Sequence, residues 1–362
     1  MDKTTFVIYA ITLFLGIFVF SLLINKLLLK FYVNFGIRNN RDTSQRWSKI
    51  SNPSFGGITF FISFLIVFVA HSFIVQESYN FINIIALGIV FASIVGFMLG
   101  LFDDSYNTKP LIKLFSQIFI GVILVVSGTY IHIFSNEWLN YIITIVWVVG
   151  IMNSINMLDN MDGISTIASL TVFITVLIYL FFLQEPRYFH YTLLIGMIAT
   201  LFSFLFFNWH PSKMFMGDTG SQFIGVLLAF FGIIYFWNGG EINLEHSGSE
   251  VVEWKNILSL FLVFLIPFAD TFTVVVKRIS VGKPPYIGGK DHTTHHLSYL
   301  GMKDSQIAWL FILISIISIV MNIYLMNFVE VLSAFLVIGY VIFIFIVFSA
   351  LFYIANLNKD RN

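Results

Sequence analysis

Eleven long apolar runs, separated by short polar connections, make up nearly the whole chain. They lie near residues 5–29, 53–75, 81–101, 111–133, 139–156, 165–184, 189–207, 221–237, 256–277, 306–327 and 330–355. Each is close to the twenty or so apolar residues that carry an α-helix across the hydrocarbon of a bilayer. The longest connections are about twenty to thirty residues, and no internal repeat, low-complexity tract or soluble domain interrupts the alternation. The pattern predicts an all-α polytopic membrane protein with about eleven transmembrane helices. It reads as a single membrane-embedded domain over residues 1–362.

Composition agrees. Of 362 residues, 58% are hydrophobic and 10% charged, where soluble chains carry about a quarter charged residues. The first run is long enough to stay as an anchor, so no cleaved signal is needed. The absence of cysteine excludes disulfides and thiolate metal sites. A net charge of zero hides an uneven distribution. Alternating the spans puts 16 of the 19 Lys and Arg on one side, leaving only Lys3, Arg187 and Lys255 opposite. Basic residues favour the cytoplasm, so the N-terminus is expected outside and the C-terminus inside.

The acids then separate by type. All eight Glu, for example Glu241, Glu245, Glu250 and Glu253, fall outside, and every Asp except Asp2 falls inside. Asp103, Asp104, Asp159, Asp162, Asp218, Asp270 and Asp291 gather at or near span ends on the inner face, with His292, His295 and His296. An ionisable group at a helix centre in the membrane costs about 2.5–3.5 kcal/mol, less at the edge, so the gathering points to a site on the cytoplasmic face.

Four loops carry the chemistry. In GLFDDSYN (100–107) the adjacent carboxylates of Asp103 and Asp104 repel and need a divalent cation, a basic partner or a shared proton. Lys113 stands at the start of the next span; an Asp-Asp pair by itself also fits a plain solvated turn. In NSINMLDNMDG (153–163), Asn153, Asn156, Asp159 and Asp162 recur at three-residue steps. On a helix such steps share one slowly drifting face, an oxygen-rich surface for a hard cation, a sugar or a base. Capping Asx residues at a polar helix end are the alternative.

In FMGDTGS (215–221) the glycines around Asp218, Gly217 among them, let backbone N–H groups approach a phosphate, and Ser221 opens the following span. Asp218 is the natural carboxylate for Mg²⁺, which keeps most of its waters. Phe215 could stack on a base or simply pack. The fourth loop, KRISVGKPPYIGGKDHTTHH (277–296), combines basic residues with His292, His295 and His296. These can neutralise a diphosphate, form a plain positive-inside loop, or bind zinc, which the surrounding hard oxygen groups disfavour. A weaker element, KISNPSFGGI (49–58), breaks a helix at Pro53 and Gly56–Gly57.

In order, PSFGGI, GLFDD, NSINMLDNMDG, FMGDTGS and the histidine loop resemble the polyprenyl-phosphate N-acetylhexosamine-1-phosphate transferases, the superfamily of WecA-like enzymes and MraY, from about Ile50 to Gly301. Eleven spans with an outside N-terminus resemble the WecA-like branch better than the ten-span MraY branch. The resemblance implies transfer of a sugar-1-phosphate, GlcNAc-1-phosphate foremost, from a UDP-sugar to undecaprenyl phosphate, with release of UMP. It implies a bacterial cytoplasmic (inner) membrane location and a role in initiating cell-envelope polysaccharide synthesis. Phospho-MurNAc-pentapeptide or another N-acetylhexosamine phosphate is the alternative cargo.

Carried over, Asp103, Asp104 and Asp218 are the catalytic acids, and Asp218 with Asn156 the Mg²⁺ ligands, Mn²⁺ being a substitute. Lys113, Asn153, Asp159, Asp162, Phe215, Gly217, His292, His295, His296 and Lys49 become substrate contacts. Thr294 stands where many relatives carry a middle histidine, and His296 where arginine is common. The partners implied are a UDP-sugar, undecaprenyl phosphate and membrane lipid, with no nucleic acid; a homodimer is compatible. From another class, a transporter also places carboxylates among helices, but usually at mid-bilayer and with internal repeats.

Overall fold

A computed structural model describes residues 3–31, 52–74, 84–183, 187–240, 254–285, 289–329 and 333–357. Among them every regular element is a helix. The order is α1 (Lys3–Phe31), α2 (Gly56–Ile74), α3 (Ile84–Tyr106), α4 (Pro110–Val126), α5 (Glu137–Leu158), α6 (Ile164–Phe182) and α7 (Tyr188–Asn208). There follow α8 (Gly217–Gly232, extended by a π-helical turn Ile233–Trp237), α9 (Trp254–Val263), α10 (Leu265–Ser280), α11 (Thr293–Tyr299), α12 (Asp304–Phe328) and α13 (Ala334–Leu357). Only helices close all their backbone hydrogen bonds within one segment, which is why apolar runs in lipid take this form.

Each of the eleven apolar runs contains a helix or a helix pair. Eight described helices are long and apolar enough to cross a membrane, or nine if α9 and α10 count as one bent span. Helices α2 and α4 fall short of that length, so the chain is multi-pass while the count of eleven is not reached on length and composition. Two differences have clear causes. The run 256–277 bends by 75° between α9 and α10, where Pro267 offers no N–H to the Val263 carbonyl and its ring crowds that turn. The run 111–133 stops being helical after Val126, although Ile131 and Ile133 continue its apolar pattern. There the N–H groups of Ile131, Ile133 and Phe134 donate instead to the side chains of Thr144 and Asn140.

Helix α8 is the axis of the bundle. Its apolar window is wholly buried, against 22% for α1 and 11% for α13, and it packs on α2, α3, α5 and α6. Helix α1 lies on α2 and α7, pinned by polar pairs such as Ser21–Ser63 (2.9 Å) and Thr59–Asn25 (2.7 Å). Such hydrogen bonds, with small residues at contacts, hold helices together where lipid offers no hydrophobic gain.

The contact between α3 and α8 depends on Gly100. A Cβ there would lie 2.3 Å from the Asp218 carbonyl oxygen and 2.4 Å from Thr219 Cα. Gly100→Ala should therefore push α3 off α8 at a cost of about 1–3 kcal/mol. The melting temperature in detergent is expected to drop by several degrees; an unchanged one would mean the two backbones have room to spare.

Candidate active site

Four helix ends meet on one side of the bundle. Helix α3 runs to Tyr106, beyond the apolar run, so Asp103 and Asp104 occupy its last turn and not a loop. Thr108, just past that end, donates its N–H (3.0 Å) and hydroxyl (2.6 Å) to Asp103 Oδ1. Pro110, whose missing N–H is no loss in a first turn, starts α4 and sets Lys113 one turn in. The Lys113 ammonium donates to Asp103 Oδ2 at 2.8 Å and to Asn156 Oδ1 on α5 at 2.9 Å. Asn156 Nδ2 donates in turn to Asp218 Oδ1 and, at 2.9 Å, to Ser221 Oγ.

Helix α8 begins at Gly217, four residues before Ser221, where the apolar pattern placed the start of the span. Asp218 therefore sits in its first turn, where the helix dipole favours a carboxylate. Gly217 has φ +73°, the left-handed region, and a Cβ there would meet Asp104 Oδ2 at 2.8 Å. Asp104 Oδ2 accepts the Thr219 N–H (2.8 Å) and hydroxyl (2.6 Å). The amide expected to cradle a phosphate is thus committed to Asp104, and the glycines of this stretch serve close packing. Segment 53–57 backs it: Phe215 N–H donates to the Pro53 carbonyl, and Gly56 and Gly57 donate to the carbonyls of Phe215 and Met216, all at 2.9–3.2 Å.

The three-residue ladder on α5 is only half helical. Asn153 and Asn156 share a helix face, but α5 ends at Leu158 and Asp159 follows as its C-cap. Asp159 accepts from Ser165 Oγ (2.8 Å). Asp162 lies in the turn and ties down the α7–α8 loop, accepting from Ser212 N–H (3.0 Å), Ser212 Oγ (2.7 Å) and His210 Nδ1 (3.1 Å). The Asn153 side chain is taken up by Gln117, its amide donating at 2.9 Å and its oxygen accepting at 3.2 Å.

The histidines are held on α11. Fully buried Asp270 of α10 accepts from the Thr293 N–H (2.9 Å) and hydroxyl (2.7 Å), and pairs with His292 Nδ1 at 2.8 Å. The Thr294 hydroxyl donates to Asn160 Oδ1 (2.7 Å), docking α11 onto the α5–α6 turn. The Lys277 ammonium meets His296 Nε2 at 2.9 Å. Burial, reinforced by His292, pushes His295 down to about 3; burial and Lys277 push His296 down to about 4. Both rings are neutral at pH 7. Burial acts to raise Asp291, but the two hydrogen bonds and charge of Arg278 (2.7 and 2.8 Å) outweigh it and hold it low.

Asp103, Asp104, Lys113, Asn156 and Asp218 are thus brought together, with Gly217 and Phe215 beside them, while Asn153, Asp159, Asp162 and the histidines stand around that centre in supporting contacts. Lys49 lies outside the described residues. Thr108, Gln117, Asn160 and Gln222 were missed as site residues. Their only signal was polarity within otherwise apolar spans or motif loops. Among the described residues no group of three or more His, Asp or Glu is arranged as a metal cage. The hard oxygens of Asp218 and its neighbours, three carboxylates facing one ammonium, nevertheless suit an ion such as Mg²⁺ that takes one or two protein carboxylates.

The acid–lysine–amide chain lies at the ends of α3, α4, α5 and α8 in a multi-pass helical protein. Residues 86–236, which hold all three clustered acids, Lys113 and Asn156, match the family model of glycosyl transferase family 4. A probable undecaprenyl-phosphate N-acetylglucosaminyl 1-phosphate transferase of Bacillus subtilis is 25% identical over 82% of this chain and 79% of its own length. A phospho-N-acetylmuramoyl-pentapeptide-transferase of Dictyoglomus turgidum is 27% identical over 83% and 94%. A decaprenyl-phosphate N-acetylglucosaminephosphotransferase of Mycolicibacterium smegmatis is 36% identical over a shorter stretch, 27% and 24%. The resemblance read from the ordered motifs is borne out.

The neutral histidines predict a pH dependence. An unfolded histidine titrates near 6.5, above the folded values of about 3 and 4. As pH falls from about 6.5 toward 4, the unfolded chain takes protons that the folded chain refuses, so stability is full above that window and declines through it. Melting temperature should drop between pH 7.5 and 5, and His296→Gln should reduce the slope; a flat profile would contradict the buried, neutral placement.

Proposed function

We propose that the protein transfers a sugar-1-phosphate, GlcNAc-1-phosphate foremost, from a UDP-sugar to undecaprenyl phosphate, giving a lipid-linked pyrophosphoryl sugar and UMP. The observation that carries this reading is the hydrogen-bonded chain Asp103–Lys113–Asn156–Asp218 at the meeting of four helix ends. The names of the Bacillus and Mycolicibacterium relatives support it. The Dictyoglomus relative keeps phospho-MurNAc-pentapeptide as a second reading of the cargo.

In the reaction an oxygen of the lipid phosphate attacks the β-phosphorus of the UDP-sugar, and the bond to the UMP oxygen breaks. One phosphoanhydride replaces another, so the step needs positioning and charge neutralisation more than driving force. Lys113 supplies positive charge where the two anionic substrates meet. A phosphate monoester with a second pKa near 6 is mostly dianionic at pH 7, so a general base is not required. Asp103 and Asp104, each already accepting several hydrogen bonds, then serve to orient Lys113 and the start of α8. Asp218, with Asn156 beside it, would hold Mg²⁺, or Mn²⁺ in its place, and the bound ion would offset the negative charge of the diphosphate. His292, held by Asp270, offers a polar group from α11 toward the same side. The site faces the cytoplasm of the bacterial inner membrane, with the N-terminus outside, as the distribution of basic residues argues.

The test is purified protein with undecaprenyl phosphate, Mg²⁺ and a panel of UDP-sugars, reading UMP. UMP that requires lipid and metal is the expected result, and the panel identifies the sugar; a well-folded but silent protein would revive a transporter. Lys113→Met and Asp218→Asn should each lower turnover roughly 100-fold or more, about 3 kcal/mol in the barrier, while the protein still elutes as a folded species. Near-normal turnover in both would remove the cluster from the mechanism.

A further inference from the structure

Directly beneath the charged groups lies a second tier made only of amides. Lys113 and Gln117 are four residues apart on α4, Asn156 and Asn153 three apart on α5, and Asp218 and Gln222 four apart on α8. These spacings put each pair on one helix face, so the three helices that meet at the site meet again one turn deeper. Gln117 is the hub: its Nε2 donates to Asn153 Oδ1 (3.2 Å) and Gln222 Oε1 (3.0 Å), and its Oε1 accepts from Asn153 Nδ2 (2.9 Å). Gln117 is 1% exposed and Gln222 fully buried, and Gln222 Nε2 has no partner among the described residues. An orphaned buried donor costs about 1–3 kcal/mol, and apolar residues would fill this depth without that cost.

We infer that Gln117, with Asn153 and Gln222, is a positioning tier that fixes the spacing of α4, α5 and α8 independently of the charges above it. Three carboxylates around one lysine repel one another, and that repulsion changes each time anionic substrates enter and leave. Neutral amides do not change charge across the cycle. They hold Lys113 within reach of Asp103 and Asn156 while the upper tier exchanges partners. The inference deepens the proposed reaction and rests on it for its kinetic readout, but the spacing of the helices can be read without turnover.

The chain has no cysteine, so spin labels can be placed at Ile112 and Lys213, near the starts of α4 and α8. Gln117→Leu should broaden the distance distribution between them; a distribution as narrow as the parent's overturns the inference, whether or not the parent turns over. In an active parent, Gln117→Leu should lower kcat about 10-fold or more with KM for both substrates within about 3-fold. The loss should be much smaller in a Lys113→Met background, since contacts acting through one residue are non-additive. Equal losses in both backgrounds would assign Gln117 a general structural role instead. Should Gln117→Leu fail to fold, the triple variant Gln117→Leu/Asn153→Leu/Gln222→Leu leaves no orphaned amide in the tier. It should fold like the parent yet show the same broadening, and a narrow distribution would again overturn the tier.

Discussion

One ammonium among three carboxylates is the constraint around which this structure is arranged. Lys113 reaches Asp103 directly and Asp218 through Asn156, while Asp104 is held apart by Thr219. Such a group is stable at a membrane boundary only when every oxygen has a donor and the helices cannot drift, because an uncompensated buried charge costs several kcal/mol. Thr108 and Thr219, next to the helix ends, supply donors to Asp103 and Asp104, Asn156 supplies one to Asp218, and Gly100 lets α3 settle against the backbone of α8.

The surroundings follow from that centre. Helix α8 is enclosed on all sides because it carries Asp218 and must hold it still, whereas α1 and α13 present most of their surface outward. The α5–α6 turn and the α7–α8 loop are tied together through Asp162, and α11 is tied to the same turn through Thr294 and Asn160. The histidines lie in this shell. His292 is anchored by a buried carboxylate, and His295 and His296 are kept neutral, so the positive charge beside them is that of Lys277 and Arg278.

A site at the end of the helices stands where hydrocarbon meets water, the boundary that the proposed reaction has to bridge. The acids stand at the last turn of α3 and the first turn of α8, at the limit of the apolar stretch. The amides stand one turn deeper, where water would otherwise have to satisfy polar groups. Charge faces the exchange of substrates, and neutral hydrogen bonds set the geometry beneath it.

Local chemistry determined a great deal here. Apolar runs of about twenty residues can hide their backbone from lipid only as helices, so the multi-pass fold was legible directly. Acids that are costly near hydrocarbon marked Asp103, Asp104 and Asp218 before any geometry was known. What the sequence could not reveal depended on contacts between distant segments. The bend at Pro267 and the non-helical course of 129–133 were hidden because both stretches remain apolar. The regular spacing from Asn153 to Asp162 suggested one face, yet α5 stops at Leu158 and sends Asp162 to a different loop. The glycines of 217–220 read as a phosphate cradle, but Asp104 claims the Thr219 amide and α3 fills the space. Gln117 and Gln222 looked like isolated polar residues in apolar helices until packing placed them beside Asn153. The chain alone decided which groups exist and which side they gather on; the tertiary structure decided who bonds to whom, because partners 36 to 115 residues apart meet only after the helices pack.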